Sequence, residues 1–302
     1  MRELNAIIRQ YHPEIVHANA AVCARIAGRL NGTVVVHTRH CYQPLSAAWR
    51  NPLIRAVGGM GNRMLSDRVI ATAEVAGDNL RAMGIPDDKI SLIRNGCEAV
   101  RPVGVEELAR FRARYAILPD DFCVGICARL EPCKGHRTFL WAAKLVIGSL
   151  PKRRFRFLIA GDGSRRAELE QLAYDLGVAP WVTFTGFLPD PAPFYRTLRV
   201  NVNCSAGTET SCLAVSEGMS AALPTVLTDY GGNRAMLGES GAGYCIPVGH
   251  AGALAEAICR IALRPELESA MKRNARARYE QKYTADRMAE QLTAVYRNLL
   301  TT

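Results

Sequence analysis

The stretch TETSCLAVSEGMSAALPTVLTDYGG, residues 208–232, carries two carboxylates, Glu209 and Glu217, on either side of a helix start. Ser205, Gly207 and Thr208 read as a loop after a strand, Leu213 to Ala222 as a short apolar helix, and Pro224 to Thr228 as the next strand. In a unit of this α/β kind the loop N–H groups and the helix N-terminus attract an anion, here near Ser211, Cys212 and Leu213. Like charges repel, so two carboxylates beside a phosphate are suited to hydroxyls instead: two acceptors for the sugars flanking a diphosphate. The plainer alternative leaves Glu217 a solvated helix residue and Glu209 a loop charge.

Such a site needs a sheet beneath it, and the chain supplies alternating strand and helix patterns throughout. Residues 1–11 read as a helix, EIVH (14–17) as a strand, 20–30 as a helix and TVVVH (33–37) as a buried strand. A polar turn, TRHCYQP, leads into a basic helical region from about Ser46 to Ser66; RVIAT (68–72), a helix over 73–83 and KISLIRNG (89–96) follow. That makes four parallel strands, and the Pro- and Gly-containing stretch CEAVRPVGVEE then reads as a linker, with a domain boundary near residue 100. Six further strand candidates follow: FCVGIC, FRFLIAG, WVTFTG, VNVNCS, PTVLT and GYCI. Continuous apolar strands separated by helices indicate parallel sheets covered on both faces.

Size and composition narrow the class. A chain of 302 residues accommodates about two domains, and no run of about 18 apolar residues offers a membrane span. The N-terminus MRELNAIIRQYHPE lacks the apolar core of a signal peptide, which makes cytoplasm the expected location. Ten cysteines, none in C-x2-C spacing, are expected to be buried small hydrophobes in a reducing compartment. A formal charge of +10 steers the chain toward anionic partners; with no nucleic-acid motif present, these are nucleotide diphosphates or an anionic membrane surface.

Four motifs in order resemble the retaining glycosyltransferases of the family 4 type, which have two Rossmann-like domains (the GT-B fold). ARLEPCKGH (128–136) is similar to that family's loop carrying an Arg and a Lys on the donor diphosphate, here Arg129 and Lys134. AGDGSRRAELEQLA (160–173) resembles its Gly-Asp-Gly turn, with Gly161 and Asp162, and VTFTGFLPD (182–190) the segment lining the nucleotide base. The E-x7-E element falls on Glu209 and Glu217. The resemblance implies that Glu217 holds the ribose hydroxyls and Glu209 those of the transferred sugar, while backbone amides of Cys212 and Leu213 face the diphosphate. Arg129, Lys134 and a helix N-terminus are also a metal-free way to stabilise a departing nucleotide diphosphate. No Asp-x-Asp occurs in the chain, so no metal and no cofactor are expected.

The chain departs from the family pattern in three places. Arg199 stands where an Asp is usual, at a position structural in the family. After the strand EIVH the order is His17, Ala18, Asn19 where a second His is frequent, so His17, Asn19 and His40 are the acceptor-side candidates. Finally, the strand, glycine-rich turn and two strand–helix units that open the family's N-domain are missing before Met1. A truncated start is favoured over a short natural form, and the strand Glu14 to His17 is left at a sheet edge.

The expectation is therefore an α/β protein of two Rossmann-like domains, 1–100 (incomplete) and 101–284, with the helix 285–302 packing back on the first. The expected reaction is sugar transfer with retention, from a nucleotide-diphosphate sugar to a saccharide or lipid-linked acceptor, in cell-surface polysaccharide or lipopolysaccharide synthesis. A nucleotide-sugar epimerase and a catalytically impaired nucleotide-sugar-binding module remain the alternatives.

Overall fold

The computed structural model describes every residue except Ala20, Gln43, Thr208 and Thr302, so expectations touching those four lie outside the described residues. The chain forms two compact units: residues 1–96, 209–211 and 285–302 in the first, and 97–207 and 212–284 in the second.

The first unit runs α1 (Arg2–Tyr11), β1 (Ile15–Asn19), α2 (Val22–Leu30), β2 (Val34–Arg39), α3 (Pro52–Leu65), β3 (Arg68–Ala71), α4 (Glu74–Ala82) and β4 (Ile90–Leu92). A single turn of 3-10 helix, Ala47–Arg50, precedes α3. The strands form a parallel sheet in sequence order, β1-β2-β3-β4, with Val16 opposite Val35 and Thr38 opposite Ile70. Among the described residues β1 pairs only with β2 and so forms an edge. β-Branched residues fill β2, whose Val35 and Val36 are both buried because helices cover both faces of a parallel sheet. One face packs Val69 and Ala71 against Ala76 and Leu80 of α4; the other packs Val36 and Ile70 against Met288, Leu292 and Val295 of the C-terminal helix, Ala285–Leu300. The start of α3 is set by Asn51, whose side chain accepts from the Leu53 N–H, and by Pro52 in the first turn.

The second unit runs α5 (Val105–Arg114), β5 (Phe122–Cys127), α6 (His136–Ser149), β6 (Phe155–Ala160), α7 (Arg166–Asp175), β7 (Val182–Gly186), α8 (Ala192–Thr197) and β8 (Val200–Asn203). It continues through α9 (Leu213–Ser220), β9 (Thr225–Thr228), α10 (Asn233–Leu237), β10 (Gly243–Ile246), α11 (Ala251–Leu263) and α12 (Pro265–Lys282); the C-terminal helix of the first unit is α13. Its six parallel strands lie in the order β10-β9-β8-β5-β6-β7. Alternate residues of β5 serve the two faces: Phe122, Val124 and Ile126 pack with α6 and α11, Cys123 with Phe194 and Leu198. A third cluster joins Val215 and Met219 of α9 to Met236, Ala275 and Tyr279.

Three expectations change. Only Ile90–Leu92 of KISLIRNG pairs as strand, the rest running on as loop. The end of the supposed linker is helical from Val105, with Glu106 and Glu107 in the first turn where the helix dipole favours acids. Of the ten thiols, all free, Cys123, Cys204 and Cys212 are buried, whereas Cys23 and Cys41 are exposed. Cys23 lies in the first turn of α2 and Cys41 in the loop after β2, away from the apolar strand and helix runs on which the expectation rested.

Candidate donor site at the carboxyl edge of the second sheet

In the second sheet the chain starts at β5 and builds outward on both sides, through β6 and β7 on one and β8, β9 and β10 on the other. Ligands of open parallel sheets bind beyond the carboxyl ends of the strands where this reversal occurs, here between β5 and β8. The loops leaving β5, β6 and β8 meet there backbone to backbone. The Ala206 N–H donates to the Cys133 carbonyl at 2.7 Å, and the Leu130 N–H to the Asp162 carbonyl at 3.0 Å. Gly135 has φ +71°, and a Cβ on it would lie 2.1 Å from the Cys204 carbonyl oxygen. At Gly161, φ is +126°, and a Cβ would sit equally close to the Ala128 oxygen. Both glycines are thus demanded by φ and by packing, which brings the loops bearing Arg129 and Lys134 against the ends of β6 and β8.

Arg129 is exposed two residues beyond β5 and has no ion pair among the described residues. Lys134 ends the 3-10 turn Pro132–Lys134, half-buried beside the 204–207 segment that Gly135 touches. Asp162 turns its own carboxylate on the Gly163 N–H at 2.8 Å, which makes it the support of the Gly-Asp-Gly turn.

Glu217 lies on α9, just over one turn past its start, and its Oε2 accepts from the Tyr195 hydroxyl at 2.6 Å. Tyr195 is buried on α8 and also interacts with Cys127, the last residue of β5. Burial first, then the nearby Cys127 and Glu217, pushes its phenol well above the ordinary value, so it stays protonated and donates. The second glutamate of the pair is therefore fixed to the carboxyl end of β5. Tyr195 was not among the residues singled out from the sequence; the buried FYRT helix was its one signal, and nothing local ties that helix to Glu217. The start of α9 is held by Asn203, which accepts from the Ser205 N–H at 2.9 Å and donates to the Cys212 sulfur. No side chain caps α9, so the amides of its first turn, beginning at Leu213, are oriented toward any anion beyond them.

Glu209, with Thr210 and Ser211, belongs to the first unit. Thr210 donates to the His40 carbonyl at 2.7 Å and accepts from the Thr72 hydroxyl at 3.1 Å. Glu209 and Ser211 are both buried, and the Ser211 hydroxyl has no hydrogen-bond partner among the described residues.

The acceptor-side candidates also lie in the first unit. Both ring nitrogens of His17 are committed, Nδ1 to the Tyr296 hydroxyl at 2.5 Å and Nε2 to the Thr38 hydroxyl at 2.6 Å. His17 thereby ties β1 to α13 and has no nitrogen left for a substrate. His40 Nε2 and Asn19 Oδ1 instead form an exposed pair at 2.9 Å. Arg199, where an acid was expected, forms a bidentate pair with the buried Glu268 and lies over the Phe122 ring. Burial alone would raise the Glu268 carboxyl, but hydrogen bonds from Arg199 and Lys272 outweigh it and hold the group below its ordinary value.

Two family profiles match this chain. One described as Glycosyltransferase Family 4 covers residues 1–101, and one described as Glycosyl transferases group 1 covers residues 121–263. The chain is 29% identical over 304 residues to the putative glycosyltransferase EpsD of Bacillus subtilis, a match covering 96% of this chain and 78% of that protein. It is 26% identical to the D-inositol 3-phosphate glycosyltransferase of Saccharomonospora viridis, over 89% of this chain and 65% of that one. Among solved structures, a glycosyltransferase from Rickettsia africae superimposes with a TM-score of 0.82 at 19% identity, covering 99% of this chain and 80% of the other. Anabaena Alr3699/HepE, solved in complex with UDP, gives 0.83 at 19% identity over 99% and 82%. At that identity the likeness speaks for the fold.

Proposed function

The chain belongs to the group 1, family 4 glycosyltransferases, and from that membership we propose that it moves a sugar from a nucleotide-diphosphate donor to a saccharide or lipid-linked acceptor with retention of configuration. The observation that carries this reading is the Tyr195–Glu217 hydrogen bond, which holds a carboxylate beside the β5 end and the uncapped start of α9.

In this reading Glu217 accepts hydrogen bonds from the ribose hydroxyls of the donor, and Glu209 from hydroxyls of the transferred sugar. Arg129, Lys134 and the first amides of α9 stabilise the charge that develops on the departing diphosphate. Ser211, buried with an unused hydroxyl, is a further donor for a phosphate oxygen. No protein nucleophile is needed, because the leaving phosphate takes the proton of the acceptor hydroxyl on the face from which it departs. Among the described residues no group of three or more His, Cys, Asp or Glu could hold a metal ion, and the cations named above supply the positive charge. His40 and Asn19 are the acceptor-side pair. An acceptor in cell-surface saccharide synthesis, reached from the cytoplasmic side of an anionic membrane, suits the formal charge of +10.

Calorimetric titration with nucleotide sugars, followed by turnover assays, tests the assignment. Glu217→Ala and Lys134→Ala are expected to abolish donor binding or turnover; unchanged kinetics in both would reject the site. Binding without turnover would identify a binding module, and interconversion of the donor sugar with no acceptor present an epimerase.

A further inference from the structure

Helix α3 is built inside out. Its inward face is made of small and polar residues: a Cβ on Gly59 would lie 2.6 Å from the Gly84 carbonyl oxygen, Gly58 faces the Trp49 ring, and Asn62 accepts from Arg25 at 2.9 Å. Its outward face carries Leu53, Val57, Met60 and Met64, each 59–73% exposed. Their spacing of i, i+4, i+7 and i+11 places the four in one continuous stripe along the helix. A surface helix of a globular protein normally turns such a stripe to the core, so four large apolar side chains in water indicate an apolar surface to receive them.

The charges around the stripe say what that surface is. Residues 15–66 contain six arginines and no Asp or Glu. Of these, Arg50, Arg55 and Arg63 form no ion pair among the described residues, and all three are exposed. Beside the stripe a groove of about 760 Å³ combines Met60 and Met64 with Arg55, Arg63 and Lys89. Asp67, the acid that follows α3 most closely in sequence, is paired with Arg29, and Asp78 and Asp87 are both held by Arg81. An apolar ridge flanked by unneutralised cations is complementary to a bilayer of anionic lipid, whose acyl boundary takes the one and whose phosphates take the other.

We propose that this face of α3 docks the protein on an anionic lipid bilayer, with Leu53, Val57, Met60 and Met64 entering the headgroup boundary and Arg50, Arg55 and Arg63 meeting lipid phosphates. The inference rests on the membrane-surface part of the function proposed above and is independent of the donor site.

Flotation of the intact chain with phosphatidylcholine vesicles, with and without phosphatidylglycerol, tests it. Binding is expected to the anionic vesicles only and to fall as salt is raised. Each of Arg55→Gln and Arg63→Gln should weaken it about fivefold, and Val57→Ser with Met64→Ser together by about tenfold or more. These side chains are exposed, so an unchanged melting temperature is the expected control, and the arginine variants stand if the double variant misfolds. No binding to anionic vesicles, or undiminished binding by the variants, overturns the proposal. So does a dimer in analytical ultracentrifugation that the double variant dissolves while flotation is unaffected, since the stripe would then be covered by a second copy. The vesicle assay needs neither donor nor acceptor: failed donor titration with intact flotation would sink the glycosyltransfer site, and the reverse would sink the docking face.

Discussion

The Tyr195 hydroxyl donates to the Glu217 carboxylate at 2.6 Å across 22 residues of sequence, from the buried helix α8 to α9. Tyr195 acts through Glu217, so Tyr195→Phe should weaken nucleotide-sugar binding by about tenfold, near the value of one hydrogen bond to a charged group. Isothermal titration should show the loss in affinity, with kcat at saturating donor nearly retained. A variant that melts early but binds normally would reduce Tyr195 to a packing residue.

Gly135→Ala sets a methyl group against the Cys204 carbonyl at a φ of +71°. A non-glycine residue in that backbone region costs about 1–2 kcal/mol before any clash, and the contact with backbone cannot be relieved by a rotamer. Thermal unfolding should show a loss above about 2 kcal/mol, or displacement of the Lys134 loop with loss of donor binding.

Acid should destabilise both units through buried histidines. Burial, and then Arg25 and Arg39, pushes His37 down to about 4; burial and then Lys134 does the same to His136, also to about 4. Neither ring nitrogen of His136, nor Nδ1 of His37, has a hydrogen-bond partner among the described residues. The unfolded chain binds these protons near 6.5 and the folded one only near 4, so stability is complete above about pH 6.5 and falls as pH is lowered toward 4. Each histidine contributes up to about 3 kcal/mol to that loss. Melting temperatures measured from pH 7 to pH 5 should drop, and His136→Asn should flatten the part due to the second unit. A pH-independent melting curve would show that protonated rings are tolerated.

Glu268 is 3% exposed, and its bidentate partner is Arg199. Arg199→Ala leaves the carboxylate buried with only Lys272 beside it, and should cost about 3 kcal/mol in urea unfolding. Donor affinity should not change, because neither residue lies on the loops that follow β5, β6 or β8. Restoring an acid in place of Arg199 should be worse than alanine, since it would face Glu268 directly.

Local pattern carried most of the fold. Runs such as VVVH and FCVGIC can be strands only if both faces are covered, and that alone forces parallel sheets with helices between them. The spacing of Glu209 and Glu217 about a helix start, and the Arg–Lys–Gly order after β5, likewise marked the loops on which the proposed donor site rests, because loop and helix-terminus chemistry is local in sequence. Tyr195 was illegible for the opposite reason: its partner is reached only when α8 and α9 pack on the same sheet. His17 looked like a candidate for chemistry until the fold brought Tyr296 and Thr38 to its two nitrogens. The sequence of α3 shows an amphipathic helix but cannot say which side faces inward. That was decided by the close approach of Gly59 to Gly84, which admits no side chain and so turns the apolar stripe outward. Residue order by itself thus determined the strands, the loops proposed to hold the donor and the excess of positive charge. Hydrogen-bond partners, burial and the direction a helix faces are properties of contacts between distant segments, and only the tertiary structure decided them.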